Sequence, residues 1–474
     1  MLFSSLEFLF LFLPITLIGY YSFCIKRAPK LATYWLTGAS IFFYGWWNPH
    51  YLLLLGFSIL LNFFFAKILL QTSAQQRPLL TMGIASNLAL LGYFKYTNFI
   101  VLNLNSVLAQ PLTIEHIILP LGISFFTFQQ ISFLVDCYRG EGKLYKLTEY
   151  VLFVCFFPQL IAGPIVHHKE MMPQFSKLRS RVLNWKNLYY GIFLFGIGLF
   201  KKVVIADPLA PFVHASFEVV QHPSFLDAWA GSLCYTMQLY FDFSGYSDMA
   251  IGLGLLFNIS LPANFNSPYK ALSIQDFWRR WHMTLSRWLR DYIYIPLGGN
   301  RKGSHRLLLN LFLTFFIGGI WHGAGWTFII WGAMHGLALI IHRLWRAAGL
   351  TLSKPLAWLC TFLFINFAWV IFRAQSIHDA LKIYTAMLGA SGFGAWSHEM
   401  LTYYDDAMKA NPSAEIKYLG YATALCFLTG SSLWLVDKIG KTRAATAFAT
   451  GALTCAIIFI LQHNYAAEFI YFQF

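Results

Sequence analysis

Apolar runs of about 20 residues recur from one end of this chain to the other, and no other feature narrows the possible folds as far. A helix needs about 20 consecutive apolar residues to cross a ~30 Å hydrocarbon layer. Twelve candidate spans meet or approach that length, at residues 6–24, 31–47, 52–70, 79–96, 117–135, 188–205, 226–256, 307–320, 327–341, 356–371, 418–436 and 444–461. Composition closes the alternative of a water-soluble globule. With 58% hydrophobic and 11% charged residues among 474, there is too little charge to solvate a soluble surface. The sequence therefore predicts an all-α, polytopic membrane protein with 1–474 as one integral membrane domain. The first run lacks a basic leader and a small-residue cleavage site, and reads as a retained span.

A net charge of +14 suits cytoplasmic loops rich in Lys and Arg better than nucleic acid. Lys26, Arg27 and Lys30 put the first loop in the cytoplasm and the N-terminus outside. Simple alternation then conflicts with the basic stretch 169–186, and the conflict disappears if 150–166, with its Pro and Gly residues, is re-entrant. On that count the loop 207–227, the segment 375–415 and the C-terminal tail 463–474 are outside, whereas 270–306, 343–354 and 438–443 are inside. The seven cysteines show no paired spacing and read as small core residues rather than disulfide or metal ligands.

Two stretches carry chemistry. Ser273-Ile274-Gln275-Asp276 has the form of a capping box opening an amphipathic interface helix over about 274–293. Trp278, Trp281, Leu285, Trp288 and Tyr292 share one stripe of it, and Arg279, Arg280, Arg287 and Arg290 lie opposite. Those arginines, with Arg301 and Lys302 beyond the 297–300 turn, read either as headgroup anchors or as the holder of a phosphorylated donor. His282 flanks the tryptophan stripe rather than the arginine face, and is expected to point toward the protein interior or the interface, not toward cytosol. The second stretch, GGIWHGAGWTFIIW (318–331), sets His322 on a glycine-rich break between apolar spans. Because 307–320 is short for a crossing, the break is expected to lie within the membrane, where an ionisable group is costly and a neutral imidazole suits proton abstraction. Asp242 and Asp248 are similarly expensive inside 226–256, and read as partners of neighbouring helices or of an arginine. His335 and His342, one heptad apart, read as packing residues before haem or metal ligands.

WRRWHMTLSRWLRDYIYIPLGGNR followed by GIWHGAGWTFIIWGAMHG resembles the membrane-bound O-acyltransferase family, in its branch that acetylates exported polysaccharides such as alginate and peptidoglycan. The resemblance covers essentially the whole chain. It implies a ring of about 11–13 transmembrane or re-entrant helices around a central tunnel, which Trp321, Trp326, Asp242 and Asp248 are candidates to line. It further implies His322 as catalytic base, His282 as the second polar residue, and a cytosolic acyl thioester, acetyl-CoA, as donor, with no metal and no tightly bound cofactor. The implied setting is the bacterial inner membrane, with membrane lipids around the chain and an extracytoplasmic acetyltransferase or polysaccharide export complex as partner. The ending FIYFQF is similar to the FxYxxF ending of the small partner of D-alanyl-transferring relatives, although Ala466 stands where the longer form has Phe. By that likeness Tyr471 is a candidate acyl relay, and otherwise an aromatic interface anchor. The rival from another class is a transporter or flippase using intramembrane His and Asp as a proton relay.

Overall fold

The computed structural model describes residues 1–71, 76–177, 182–406, 408, 411–439, 443–463 and 469–470. Their regular structure is helical throughout. Six helices are long and apolar enough to cross a membrane, Phe8–Ile25, Tyr51–Gln71, Trp185–Val219, Gly303–His322, Trp326–Ala347 and Lys354–Arg373. Lys417–Leu428 and Ser432–Lys438, bent by 55° at the break between them, make a seventh if the pair counts as one span, over the stretch where the span 418–436 was expected. The chain is a multi-pass membrane protein.

Residues 1–196 and 247–263 form one compact unit, and 197–246 with 264–474 a second. In the first, Phe8, Phe12, Phe43 and Phe157 pack ring on ring, with Phe12 and Phe157 at 5.2 Å and 89°. Polar side chains between its helices answer one another, because lipid offers them no partner. Asn62 and Asn87 exchange amide hydrogen bonds of 3.0 and 2.6 Å, and Gln130 donates to Ser58 Oγ at 2.8 Å. The segment expected to be re-entrant consists of two short helices, Leu147–Cys155 and Phe157–Leu160, buried from Leu152 to Val166. Neither is long enough to cross. Residues 117–120, expected to begin a span, are not helical; the helix starts at Ile123 after a left-handed Gly122.

In the second unit, the expected outer loop 207–227 is mostly helix, since helical structure entered at Trp185 continues to Val219 through two π-helical turns. Gly303–His322 has 20 residues and Trp326–Ala347 has 22. At 1.5 Å per residue each reaches about 30 Å, so the span before His322 is not short, contrary to expectation. It extends at its start through residues 303–306.

These two helices touch backbone to backbone. A Cβ on Gly319 would lie 2.5 Å from the Phe328 carbonyl oxygen and 2.8 Å from Gly332 Cα, and one on Gly332 would lie 2.6 Å from the Phe315 carbonyl oxygen. Small residues at such crossings let membrane helices approach closely. Gly332→Ala is therefore expected to lower stability by about 1–3 kcal/mol, read as a reduced melting temperature in detergent, with Gly38→Ala, which meets open space, as the control.

Candidate functional site

The interface helix is not continuous. Ser273 caps Ile274–Trp278 by accepting the Asp276 N–H at 3.1 Å, as the capping box predicts. The chain then breaks, and a second helix runs Met283–Leu289. The break falls at His282, whose φ of +42° puts it in the left-handed region, a conformation costing a non-glycine residue about 1–2 kcal/mol. Tertiary contacts hold it there. The Met283 N–H donates to the Asn264 carbonyl at 2.9 Å, and the Asn266 N–H to the Arg280 carbonyl at 2.9 Å. Strain of this kind persists where surroundings over-determine it and gathers at functional sites.

His282 is fully buried. Its Nδ1 lies 3.0 Å from Asn264 Oδ1, which also accepts from the Thr284 N–H and hydroxyl at 3.3 and 3.0 Å. Because an amide oxygen only accepts, Nδ1 carries the proton and Nε2 is the basic nitrogen. The ring stands edge-on to Phe243 at 4.8 Å and 90°. Asn264 received no role from its sequence context, and only the folded loop reveals it. Asn264→Leu leaves three buried donors without their acceptor, and a loss of about 1–3 kcal/mol in stability is expected from denaturation in detergent.

His322 closes the Gly303–His322 helix and is buried. Three aromatic rings surround its imidazole: Trp321 at 4.9 Å, Trp331 at 4.9 Å and Phe372 at 5.5 Å, each edge to face. Trp281, next to His282, packs on Trp369 at 5.0 Å, and Trp369 on Trp331 and Phe372 at 5.9 and 5.4 Å. One aromatic layer thus links the neighbourhoods of both histidines. Trp321 belongs to it, whereas Trp326 is 54% exposed. His335 and His342 do different things. His335 is buried and its Nδ1 accepts the Trp278 indole N–H at 3.1 Å, while His342 borders a cavity.

That cavity, of about 1110 Å³, is basic. Arg279, Arg290, Arg343, Arg346 and Lys354 line it, with Trp278 in its wall. Of the arginines and lysine expected to bind a donor, Arg279 and Arg290 border this space. Arg280 is held by Asp276 at 2.9 Å, Arg287 is half-buried, and Arg301 and Lys302 are exposed on the turn. Arg290 is paired with Asp291 at 2.7 Å, which raises its guanidinium above its ordinary value and keeps it a cation. Arg343, Arg346 and Lys354 were visible in the sequence only as markers of a cytoplasmic loop, because their approach to Arg279 requires the fold.

A second cavity of about 770 Å³ is lined by Ala324, Gly325 and Phe328, just past His322, and by Lys202, Arg373 and Ile470. His322 lies one ring from the second cavity and two from the first. Phe372, packed on it, lines the second, and Trp331, packed on it, touches Trp278 of the first at 5.9 Å. Beside the second cavity Lys202 Nζ bridges Asp207 at 2.7 Å and Asp242 at 2.8 Å, all three buried. The partner of Asp242 is thus a lysine rather than the arginine considered from sequence. The signal was present, since Lys202 interrupts an apolar run. Asp248 is buried too, but belongs to the other unit. Tyr471 lies outside the described residues, whereas Phe469 and Ile470 before it are buried.

Comparison with known proteins agrees in kind. The model of the membrane-bound O-acyltransferase family matches residues 39–378. A peptidoglycan O-acetyltransferase of Helicobacter pylori is 45% identical, the match covering 100% of this chain and 98% of that protein. A probable alginate O-acetylase AlgI of Pseudomonas aeruginosa is 46% identical over 84% of this chain and 76% of its own length. A teichoic acid D-alanyltransferase of Bacillus subtilis is 29% identical over 54% of this chain.

Proposed function

Because the chain belongs to the membrane-bound O-acyltransferase family, as an O-acetyltransferase that crosses the membrane many times, we propose that it takes an acetyl group from a cytosolic thioester, acetyl-CoA, and delivers it across the bacterial inner membrane for O-acetylation of an exported polysaccharide. The relative matched from end to end carries a peptidoglycan name, which favours peptidoglycan over alginate as the acceptor. One observation carries the reading: a single ring, Phe372, separates His322 from a mixed-charge cavity, and two rings, Trp331 and Trp278, connect it to a basic one.

In this mechanism the phosphates of acetyl-CoA rest against Arg279, Arg290, Arg343 and Arg346, whose guanidinium forks suit phosphate. His322 takes the proton of an incoming hydroxyl as that oxygen attacks the thioester carbonyl. The new C–O bond forms, the C–S bond breaks, and the departing thiolate receives the proton from the imidazolium. His282, with Nε2 unprotonated, orients His322 or its hydroxyl partner. Tyr471 supplies that hydroxyl, and the tyrosyl ester then hands its acetyl group to an extracytoplasmic transferase. Both termini are extracytoplasmic in this arrangement. The aromatic layer keeps water from the thioester.

The test is thioester consumption by purified protein in nanodiscs with radiolabelled acetyl-CoA. Wild type is expected to release CoA, and the double variant Arg279→Gln, Arg290→Gln to raise KM about tenfold or more with kcat little changed, as lost ground-state contacts do. If acetyl-CoA survives intact while a labelled solute crosses sealed vesicles, the protein is a transporter and the reading fails. Consumption of acetyl-loaded acyl carrier protein but not acetyl-CoA would reassign the donor.

A further inference from the structure

Asp242 is a carboxylate 1% exposed on the helix Phe225–Leu256, and its two oxygens have different tasks. Oδ1 faces Lys202 Nζ at 2.8 Å. Oδ2 accepts the backbone N–H of Ile470 at 2.8 Å, 228 positions further along the chain. Lys202 is itself held by Asp207 at 2.7 Å, which fixes the ammonium that Oδ1 faces. One residue earlier, Phe469 is 2% exposed; its ring stacks on Tyr246 at 4.6 Å and 26° and lies 5.7 Å from Phe243. Phe243 in turn carries His282 on another side at 4.8 Å. Ile470 borders the same cavity as Lys202, Asp207 and the 324–325 turn after His322.

We propose that the Lys202–Asp242 pair is the dock for the C-terminal segment of this chain, with Asp242 as a positioning residue that fixes the backbone at Ile470. This deepens the reading above and rests on it, because the residue next to Ile470 in the sequence is Tyr471. The division of labour follows from chemistry. A carboxylate that accepts a backbone N–H gives a strong, charge-assisted bond but reads no side chain. Phe469, seated flat on Tyr246, reads the sequence and prevents a slip of one residue. Together they choose which residue is presented, which a tail anchored only by its aromatic rings in the lipid interface would not do.

The test uses the full-length protein in nanodiscs, digested with carboxypeptidase while mass spectrometry follows trimming of the C-terminus. In wild type, trimming is expected to stall before Ile470. Asp242→Asn weakens the acceptor and Phe469→Ala removes the anchor, and each is expected to pass that point about tenfold faster or more. Tyr471→Phe should stall as wild type does. In Asp242→Asn the rate of self-labelling from acetyl-CoA should fall while KM for acetyl-CoA stays unchanged, whereas general damage to the fold would move both. Phe469→Ala alters only the tail and decides the matter if Asp242→Asn does not fold. Trimming past Ile470 at the wild-type rate in both variants, at unchanged melting temperature, overturns the dock. Stalling without any self-labelling in wild type supports the dock and removes the tyrosine relay, so the two readings fail separately.

Discussion

Replacing His322 with alanine is expected to slow acetyl-CoA consumption by about 10²- to 10⁴-fold, the usual contribution of a positioned general base. The expectation rests on place as much as on residue type. His322 closes a helix at a glycine-rich turn, is buried against Trp321, Trp331 and Phe372, and lies one ring from one cavity and two from another. Alanine also removes three ring contacts, so a loss of activity alone could reflect packing. His322→Gln separates the effects: glutamine nearly fills the space and can still hydrogen-bond, but cannot take a proton at neutral pH. Both variants should fall alike in turnover while Gln melts close to wild type. A Gln variant with wild-type turnover would make His322 structural and send the search for the base to His282.

Tyr471→Phe is expected to abolish self-labelling from radiolabelled acetyl-CoA while leaving the tail in place. The change deletes one oxygen and preserves the ring, so Phe469 and the Ile470 N–H keep their contacts with Tyr246 and Asp242. A tyrosyl acetate forms only if the phenolic oxygen bonds to the acetyl carbon as CoA leaves, and phenylalanine offers no such atom. The label in wild type should be released by hydroxylamine, as an aryl ester is. His322→Ala should also fail to label. Persistent CoA release in Tyr471→Phe on addition of a soluble glycan, with no label on the protein, would mean direct transfer to the acceptor and leave the tail as an anchor.

The break within the interface helix shows where sequence periodicity stopped informing. Tryptophan and arginine recur at helical spacing through 278–292, so the pattern predicts one uninterrupted helix. The tryptophans do turn inward as predicted, with Trp278, Trp281 and Trp288 all buried. Yet the helix ends at Trp278 and restarts at Met283. The cause lies in a loop some 18 positions upstream, where Asn264 gathers three donors from His282 and Thr284 and holds His282 at positive φ. A periodic pattern reports which face is apolar and carries no information about such a pairing. In the same way, Arg343 and Arg346 join Arg279 at one cavity only because two helices turn back past each other.

By itself the sequence determined the membrane setting, the helical class and the placing of His322 at a special position. These depend on quantities local to the chain: the length of apolar runs against the thickness of a bilayer, and the cost of an ionisable group among glycines and tryptophans. The tertiary structure decided which buried charges meet. Lys202 could have been left beside lipid, and Asp242 could have found an arginine; instead Lys202 bridges Asp207 and Asp242, and Asp242 receives the backbone of the tail. A charge inside the membrane must be compensated, and the sequence states that requirement. Which partner meets it depends on helices far apart in the chain coming within 3 Å, and only packing of the whole chain sets that distance.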